Sequence, residues 1–278
     1  MSLFGDRNSS LDALLHQLRP SAWQQFLDRP CIFLARKFYT WQPAIPAQPL
    51  ANYVSIVCVS DTHNAQPKLP NRDILIHAGD LTQSGSLHEL QKTVDWLRSQ
   101  PHKTRIVIAG NHDLILDARF PQKSDAKTTI TCDNGRCLRI YGSPYSPCHG
   151  NWAFQYLRSE NVWNERIPDG IDILITHGPP RAHLDLLKMG CIHLSKELWL
   201  IRLQLHVFGH IHEGAGIEWL QFDPLQDACE RMIASGGGIW NLVWTLKEFA
   251  HVKTLLVNPA IVGGFRDIER RQPIKVVV

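Results

Sequence analysis

A chain of 278 residues, 44% hydrophobic and 20% charged, has the composition of a soluble globular protein with a sizeable core, in one large domain or two small ones. Its net charge of +3 is too mild to imply nucleic-acid binding, and no apolar run reaches the roughly 18 residues that span a membrane. Seven scattered cysteines do not form a secreted disulfide framework, and Met1 is followed by polar residues with no apolar signal core, so a reducing, cytoplasmic setting is expected.

Residues 1–50 differ from the rest. Ser10 is placed to cap a short helix with Leu11, Leu14, Leu15 and Leu18 on one face, stopped at Pro20. A second piece runs through Trp23, Phe26 and Leu27 to Pro30. A third, Cys31 to Tyr39, carries Ile32, Phe33, Leu34 and Phe38 beside Arg36 and Lys37. These pieces are expected to cover the main domain; basic residues beside aromatics in residues 30–41 also permit peripheral membrane contact. Pro43, Pro46 and Pro49 make a stiff linker. Residues 1–50 are therefore read as a helical extension with its linker, and 51–278 as the main domain.

From residue 53 the pattern is strand, loop, helix. Val54 to Val59 is a buried strand ending at Ser60-Asp61-Thr62-His63, and Asp73 to His77 is another, ending at Gly79-Asp80. Ser86 and Glu89 form a capping box for a helix with Leu87, Leu90, Val94 and Leu97 on one face, ended by Pro101. Strand Arg105 to Ala109 ends at Gly110-Asn111-His112-Asp113. A hairpin is expected at Asn134-Gly135, and a two-residue turn there sets Cys132 opposite Cys137. Helical residues are expected near Trp152 to Leu157. Strand Ile171 to Thr176 ends at His177-Gly178-Pro179-Pro180. A helix around Leu194 to Leu203 precedes the run Leu205 to Phe208, which ends at Gly209-His210-Ile211-His212. Further strands are expected near Met232-Ile233, Lys253 to Val257 and Ile274 to Val278.

Strands alternating with helices predict an α/β architecture, and such folds place ligand groups at strand ends. Five such ends supply Asp61, His63, Asp80, Asn111, His177, His210 and His212. Carboxylate, amide and imidazole together form the donor set of Mn, Fe, Zn or Ni. Seven donors are too many for one ion and suit two if one carboxylate bridges. Two ions a few ångströms apart clamp a phosphoryl oxygen and a water that becomes a hydroxide nucleophile at neutral pH. Trp152 and Phe154 are candidates for stacking a nucleobase or for rim packing.

The ordered series D-x-H, G-D, G-N-H-D, H-G and G-H-x-H resembles the calcineurin-like metallophosphoesterase superfamily over residues 54 to about 212. The stretches Ile76 to Asp80, Ile108 to Asp113, Ile140 to Pro144, Ile175 to Pro180 and Val207 to Gly214 are similar to its metallophosphoesterase-domain (MPPED) subgroup, related to bacterial class III cyclic-nucleotide phosphodiesterases. The resemblance implies a four-layer α/β/β/α sandwich of two mixed sheets flanked by helices. It implies that Asp61, His63, Asp80 and His212 hold one metal ion, that Asp80 bridges, and that Asn111, His177 and His210 complete the second. The ions implied are Mn²⁺, Fe²⁺/Fe³⁺ or Zn²⁺. His112 stands where the family places the acid for the leaving oxygen, with Asp113 steadying it.

The activity implied is a phosphodiesterase on small phosphoesters such as cyclic nucleotides. Alternatives are a phosphomonoesterase or protein phosphatase, and, outside catalysis, a metal-binding scaffold for another protein. The sequence assigns no oligomeric state.

Overall fold

The fold is seen in a computed structural model, which describes residues 21–41, 52–119, 125–186, 189–235, 254–263 and 269–277. The expected Ser10 helix and the Pro43–Pro49 linker lie outside the described residues. Two sheets stack face to face. The first has the order β14-β1-β2-β3, built from Ile274–Val277, Ser55–Val59, Ile74–Ala78 and Thr104–Ile108. β1, β2 and β3 run parallel and β14 antiparallel. The second has the order β10-β11-β9-β8-β5-β4, from Gly216–Leu220, Thr254–Asn258, Leu205–Val207, Ile173–Thr176, Cys137–Ser143 and Ala126–Thr131. Its four inner strands are parallel and its two edges antiparallel.

The two-residue period of a strand explains the layering. Ile56, Cys58, Ile74 and Ile76 face inward, onto Ile140, Ile173, Ile175, Val207 and Val257 of the other sheet. Their neighbours Val57, Val59 and Leu75 face outward and are covered by Trp96 and Leu97 of helix α3 (Leu87–Ser99). On the far side Leu174, Phe208 and Leu256 meet Leu194 and Leu198 of α5 (Ile192–Ile201). Helix, sheet, sheet, helix is thus the observed order of layers. The Ser86–Glu89 capping box starts α3 as expected.

Helices α1 (Ala22–Asp28) and α2 (Pro30–Trp41) form a pair, and Ile32 packs on Ala182, Cys229, Met232 and Ile233. Met232 and Ile233 belong to helix α6 (Pro224–Ser235), not to a strand. Asp223 Oδ1 accepts the Gln226 N–H at 2.7 Å, and Pro224 fits the first helical position, a start that outweighs two apolar residues in a row. No described helix is long and apolar enough to cross a membrane.

Two further expectations change. Trp152 to Leu157 is not helical: Gln155–Tyr156 (β7) pairs in parallel with Ser146–Pro147 (β6). Phe154 takes φ 50° in the turn before this pair, a conformation that a right-handed helix does not admit. The hairpin loop has three residues, Asp133-Asn134-Gly135, closed by the Gly135 N–H donating to the Cys132 carbonyl. Gly135 takes φ 80°, the left-handed position such a loop requires. The extra residue shifts the register, so Thr131 lies opposite Cys137 and both Cys132 and Cys137 are free thiols.

Candidate metal centre

The carboxyl ends of β1, β2, β3, β8 and β9 lie on one side of the stacked sheets, and each is followed within three positions by one of Asp61, Asp80, Asn111, His177 and His210. Asp61, His63, Asp80 and His210 take positive φ angles of 48°, 43°, 56° and 68°. Non-glycine residues rarely adopt this conformation, and its cost, of order 1–3 kcal/mol each, is characteristic of functional loops. It turns each loop back over the strand ends. Two glycines make room. A side chain at Gly209 would fall on Ser60 Oγ and Asp61 Oδ2, and one at Gly110 on Asp80 and the His177 ring.

Asp61, His63, Asp80 and His212 each offer one donor atom, and these four atoms lie within 4.8 Å of one another. His63 Nε2 is 3.3 Å from His212 Nε2, and His212 Nε2 is 3.3 Å from Asp61 Oδ1. A second group adjoins the first. Asn111 Oδ1 is 2.8 Å from His177 Nε2 and 2.6 Å from His210 Nδ1. Asp80 Oδ2 stands between the groups, 3.3 Å from His177 Nε2 and 3.7 Å from His63 Nε2.

The residues present fit the chemistry of divalent cations. Tetrahedral ligand atoms about 2.0–2.2 Å from one ion sit roughly 3.3–3.6 Å apart, which the 3.3 Å separations of His63, His212 and Asp61 match, while the atoms around Asn111 Oδ1 stand closer, at 2.6 and 2.8 Å. The charge balance agrees. Asp61 and Asp80 are fully buried carboxylates, which needs compensating positive charge. Burial opposes ionisation of Asp61, but His212 beside it brings the carboxyl down to about 2. Burial opposes ionisation of Asp80 too, yet the charge of His177 holds it well below the usual range. Burial disfavours charge on His177, but Asp80 and Asp61 outweigh it and push the ring up to about 9. His210, desolvated and beside His177, falls to about 3.

Fixed groups behind the donors orient them. His177 Nδ1 donates to the Ala78 carbonyl at 3.0 Å, which aims Nε2 into the site. The Asp61 carboxylate accepts the His210 N–H at 3.0 Å and the Ser60 hydroxyl at 2.6 Å. Asp80 Oδ1 accepts the His112 N–H at 2.8 Å.

The His112 ring sits at the rim. Its Nδ1 is 2.8 Å from the Gln83 carbonyl, and Trp152 stacks on it, with centroids 4.1 Å apart and planes 22° from parallel. Asp113 does not serve that ring. Its buried carboxylate accepts the N–H groups of Gly110, Leu81 and Thr82 and the Thr82 hydroxyl, tying the loop after β3 to the loop after β2. Placed one residue beyond His112 in a tight turn, it faces inward.

Three contributors escaped the sequence reading. Gln83 acts through its backbone carbonyl, which no residue type betrays. Arg271 donates to the His212 carbonyl and to the Val262 carbonyl. Asn258 Nδ2 donates to the Ile211 carbonyl at 3.0 Å and so holds the loop that carries the last histidines. Its signal was present: β11 is a further apolar run ending in Asn, like the β3 run that ends at Asn111. His77 and His206 lie behind the site, buried, each with Nε2 on a threonine hydroxyl, Thr62 or Thr176.

The profile of the family described as Calcineurin-like phosphoesterase matches residues 54–214. The chain is 44% identical over 296 residues to "Probable rhamnogalacturonate lyase C" of Emericella nidulans, covering 96% of this chain and 28% of that protein. It is 38% identical over 209 residues to human "Metallophosphoesterase domain-containing protein 1", covering 59% of this chain and 62% of the relative. To "UPF0046 protein T07D4.2" of Caenorhabditis elegans it is 31% identical over 258 residues, 76% of this chain and 64% of the relative. The chain therefore spans between about a quarter and two thirds of the length of these relatives. The matched segment begins at the residue before β1 and ends just past His212, so it encloses all five loops of the centre, and by it the chain belongs to the calcineurin-like phosphoesterase family.

Proposed function

We propose that the chain is a dinuclear metal-dependent phosphoesterase that acts as a phosphodiesterase on small substrates such as cyclic nucleotides. The observation that supports this reading is the position of Asp80 Oδ2 between two groups of donor atoms, from which one carboxylate oxygen would serve both. Asp61, His63, Asp80 and His212 would hold one ion, and Asp80, Asn111, His177 and His210 the other. Bound there, divalent ions such as Mn²⁺, Fe²⁺ or Zn²⁺ supply charge for the phosphoryl oxygens and activate the attacking water.

The chain's own residues do the rest. His112 donates an Nδ1–H hydrogen bond to the Gln83 carbonyl, so that when the ring carries both protons the Nε2–H is the one it would deliver to the departing oxygen, leaving the neutral ring. Trp152 closes one face of that ring, fixing its tilt. Asp113 locks the two loops that carry Asp80 and Asn111 against each other.

The test is a substrate panel with purified protein and Mn²⁺: cyclic nucleotides, mononucleotides, an aryl diester and a phosphopeptide. Hydrolysis of the diesters is expected. Turnover of monoesters or the phosphopeptide alone would make the protein a phosphatase. No turnover of any, with metal bound, would leave a scaffold.

A further inference from the structure

A second cavity, of about 300 Å³, is lined by Cys148, His149, Arg158, Arg181, Met189 and Ile192, with Gly190 at its wall. Its described lining includes two arginines and a histidine and no carboxylate. The acid of the adjoining loop, Asp185, is buried and accepts the Gly190 N–H at 2.9 Å. Arg158 donates to the Met189 carbonyl at 2.7 Å, which fixes its guanidinium against that wall. A cavity with two planar cations and apolar patches suits a phosphate attached to an organic body.

The chain couples this cavity to the metal centre. Arg181 follows His177 by four residues, so their backbones lie at most about 14 Å apart. The intervening Gly178-Pro179-Pro180 is stiff and pinned: the Cys191 N–H donates to the Pro179 carbonyl, and the Arg181 N–H to the Cys191 carbonyl, each at 3.0 Å. A side chain at Gly178 would meet Ser146 and Pro147, the strand that leads into Cys148. On the opposite wall His149 precedes Trp152, the residue stacked on His112, by three positions.

We propose that this cavity is a second phosphate subsite: the substrate is a phosphoester bearing a further phosphate, which Arg158 and Arg181 hold while the ester lies at the metal centre. This inference rests on the phosphoesterase reading above and narrows its substrate class.

The test uses a matched pair, the p-nitrophenyl ester of thymidine 5′-phosphate and the same ester carrying a 3′-phosphate. The doubly phosphorylated ester is expected to show a KM lower by about tenfold or more, the effect of one or two charge-assisted hydrogen bonds. Arg158→Gln and Arg181→Gln should each reduce that preference several-fold through KM, and Arg181→Lys should restore part of it. A second measurement needs no metal. With chelator present, thymidine 3′,5′-bisphosphate should slow iodoacetamide alkylation of Cys148 at least fivefold by the same contacts, and thymidine should not. Cys137, exposed at the far end of β5, is the internal control.

Equal KM values for the two esters, with or without protection of Cys148, overturn the subsite. A preference without protection also overturns it, because the second phosphate is then held elsewhere. Protection with no hydrolysis of either ester keeps the phosphate site and sinks the phosphoesterase reading instead.

Discussion

Nε2 of His177 lies 2.8 Å from Oδ1 of Asn111, while Nδ1 of the same ring is 3.0 Å from the Ala78 carbonyl oxygen. A carbonyl oxygen accepts only a donor, so Nδ1 carries the proton, and in the neutral ring Nε2 then faces the amide oxygen lone pair to lone pair. A second proton or a cation resolves the conflict. Chelation should therefore destabilise the protein. At an ion concentration a thousandfold above Kd, binding stabilises the native state by about 4 kcal/mol. At roughly 2–4 °C per kcal/mol, that is about ten degrees of Tm. Elemental analysis should find two ions per chain, and one ion or none in an active preparation would end the dinuclear assignment.

Bridge and terminal ligand can be told apart. Asp80 reaches toward both donor groups, whereas His212 belongs to one. Asp80→Ala should lower metal content more than His212→Ala, which should retain the second ion. Metal per chain is read by mass spectrometry, beside Tm to exclude unfolding. Full metal and full rate in Asp80→Ala would show that Asp80 is no bridge.

The convergence of the five loops was legible in the sequence because each parallel strand is a run of apolar, largely β-branched residues that stops abruptly at Asp, Asn or His. Along Ile56 to Val59 every residue is apolar, so the run marked a buried strand without telling which side chains face the other sheet. The remainder turned on what the residue pattern does not encode. The Gln83 carbonyl that receives His112 is backbone. The Asp133-Asn134-Gly135 loop differs from a two-residue turn by one residue, yet that residue decides whether Cys137 faces Cys132 or Thr131. The left-handed turn at Phe154, which keeps residues 152–157 out of a helix, is not written in that residue's type. Met232 and Ile233 are β-compatible side chains set in a helix by the Asp223–Pro224 start.

A buried charge cluster away from the metal centre sets a pH dependence of stability. His183 lies between Glu218, 2.8 Å from Nδ1, and Glu230, 3.0 Å from Nε2. Burial disfavours the charged ring, but the two carboxylates outweigh it and raise its pKa to about 10. A folded value above the unfolded one means that the stabilisation is complete below about pH 6.5 and is lost as pH rises toward 10. The slope is at most about 1.4 kcal/mol per pH unit. Cys229, which lines one cavity with His183, Glu218 and Glu230, is pushed up by burial to about 12 and titrates above this window. His183→Gln should lose about 3 kcal/mol or more at pH 7, because it leaves the carboxylates without their cation. Its Tm should also fall less steeply than that of wild type between pH 7 and 10. Parallel Tm–pH curves would rule out the charged ring.

The role of His112 is separable from that of the metal ligands by the choice of leaving group. A ribose alkoxide is a strong base, and a positioned acid assists its departure by about 10²–10⁴-fold. Nitrophenolate leaves without that help. The ring is placed for proton delivery: Nδ1 is occupied by the Gln83 carbonyl, one face is covered by Trp152, and the backbone N–H of His112 is held by Asp80. His112→Ala should therefore depress kcat/KM on a cyclic nucleotide by at least about a hundredfold and on a nitrophenyl ester far less, with metal content nearly unchanged. Asn111→Ala removes the oxygen shared by His177 and His210, so it should depress both substrates together and release metal. Trp152→Ala frees the ring without removing it and should give a smaller loss with the same bias toward the cyclic nucleotide. Equal losses on both substrates in His112→Ala would remove the proton-donor role and leave His112 as a group that orients the phosphate.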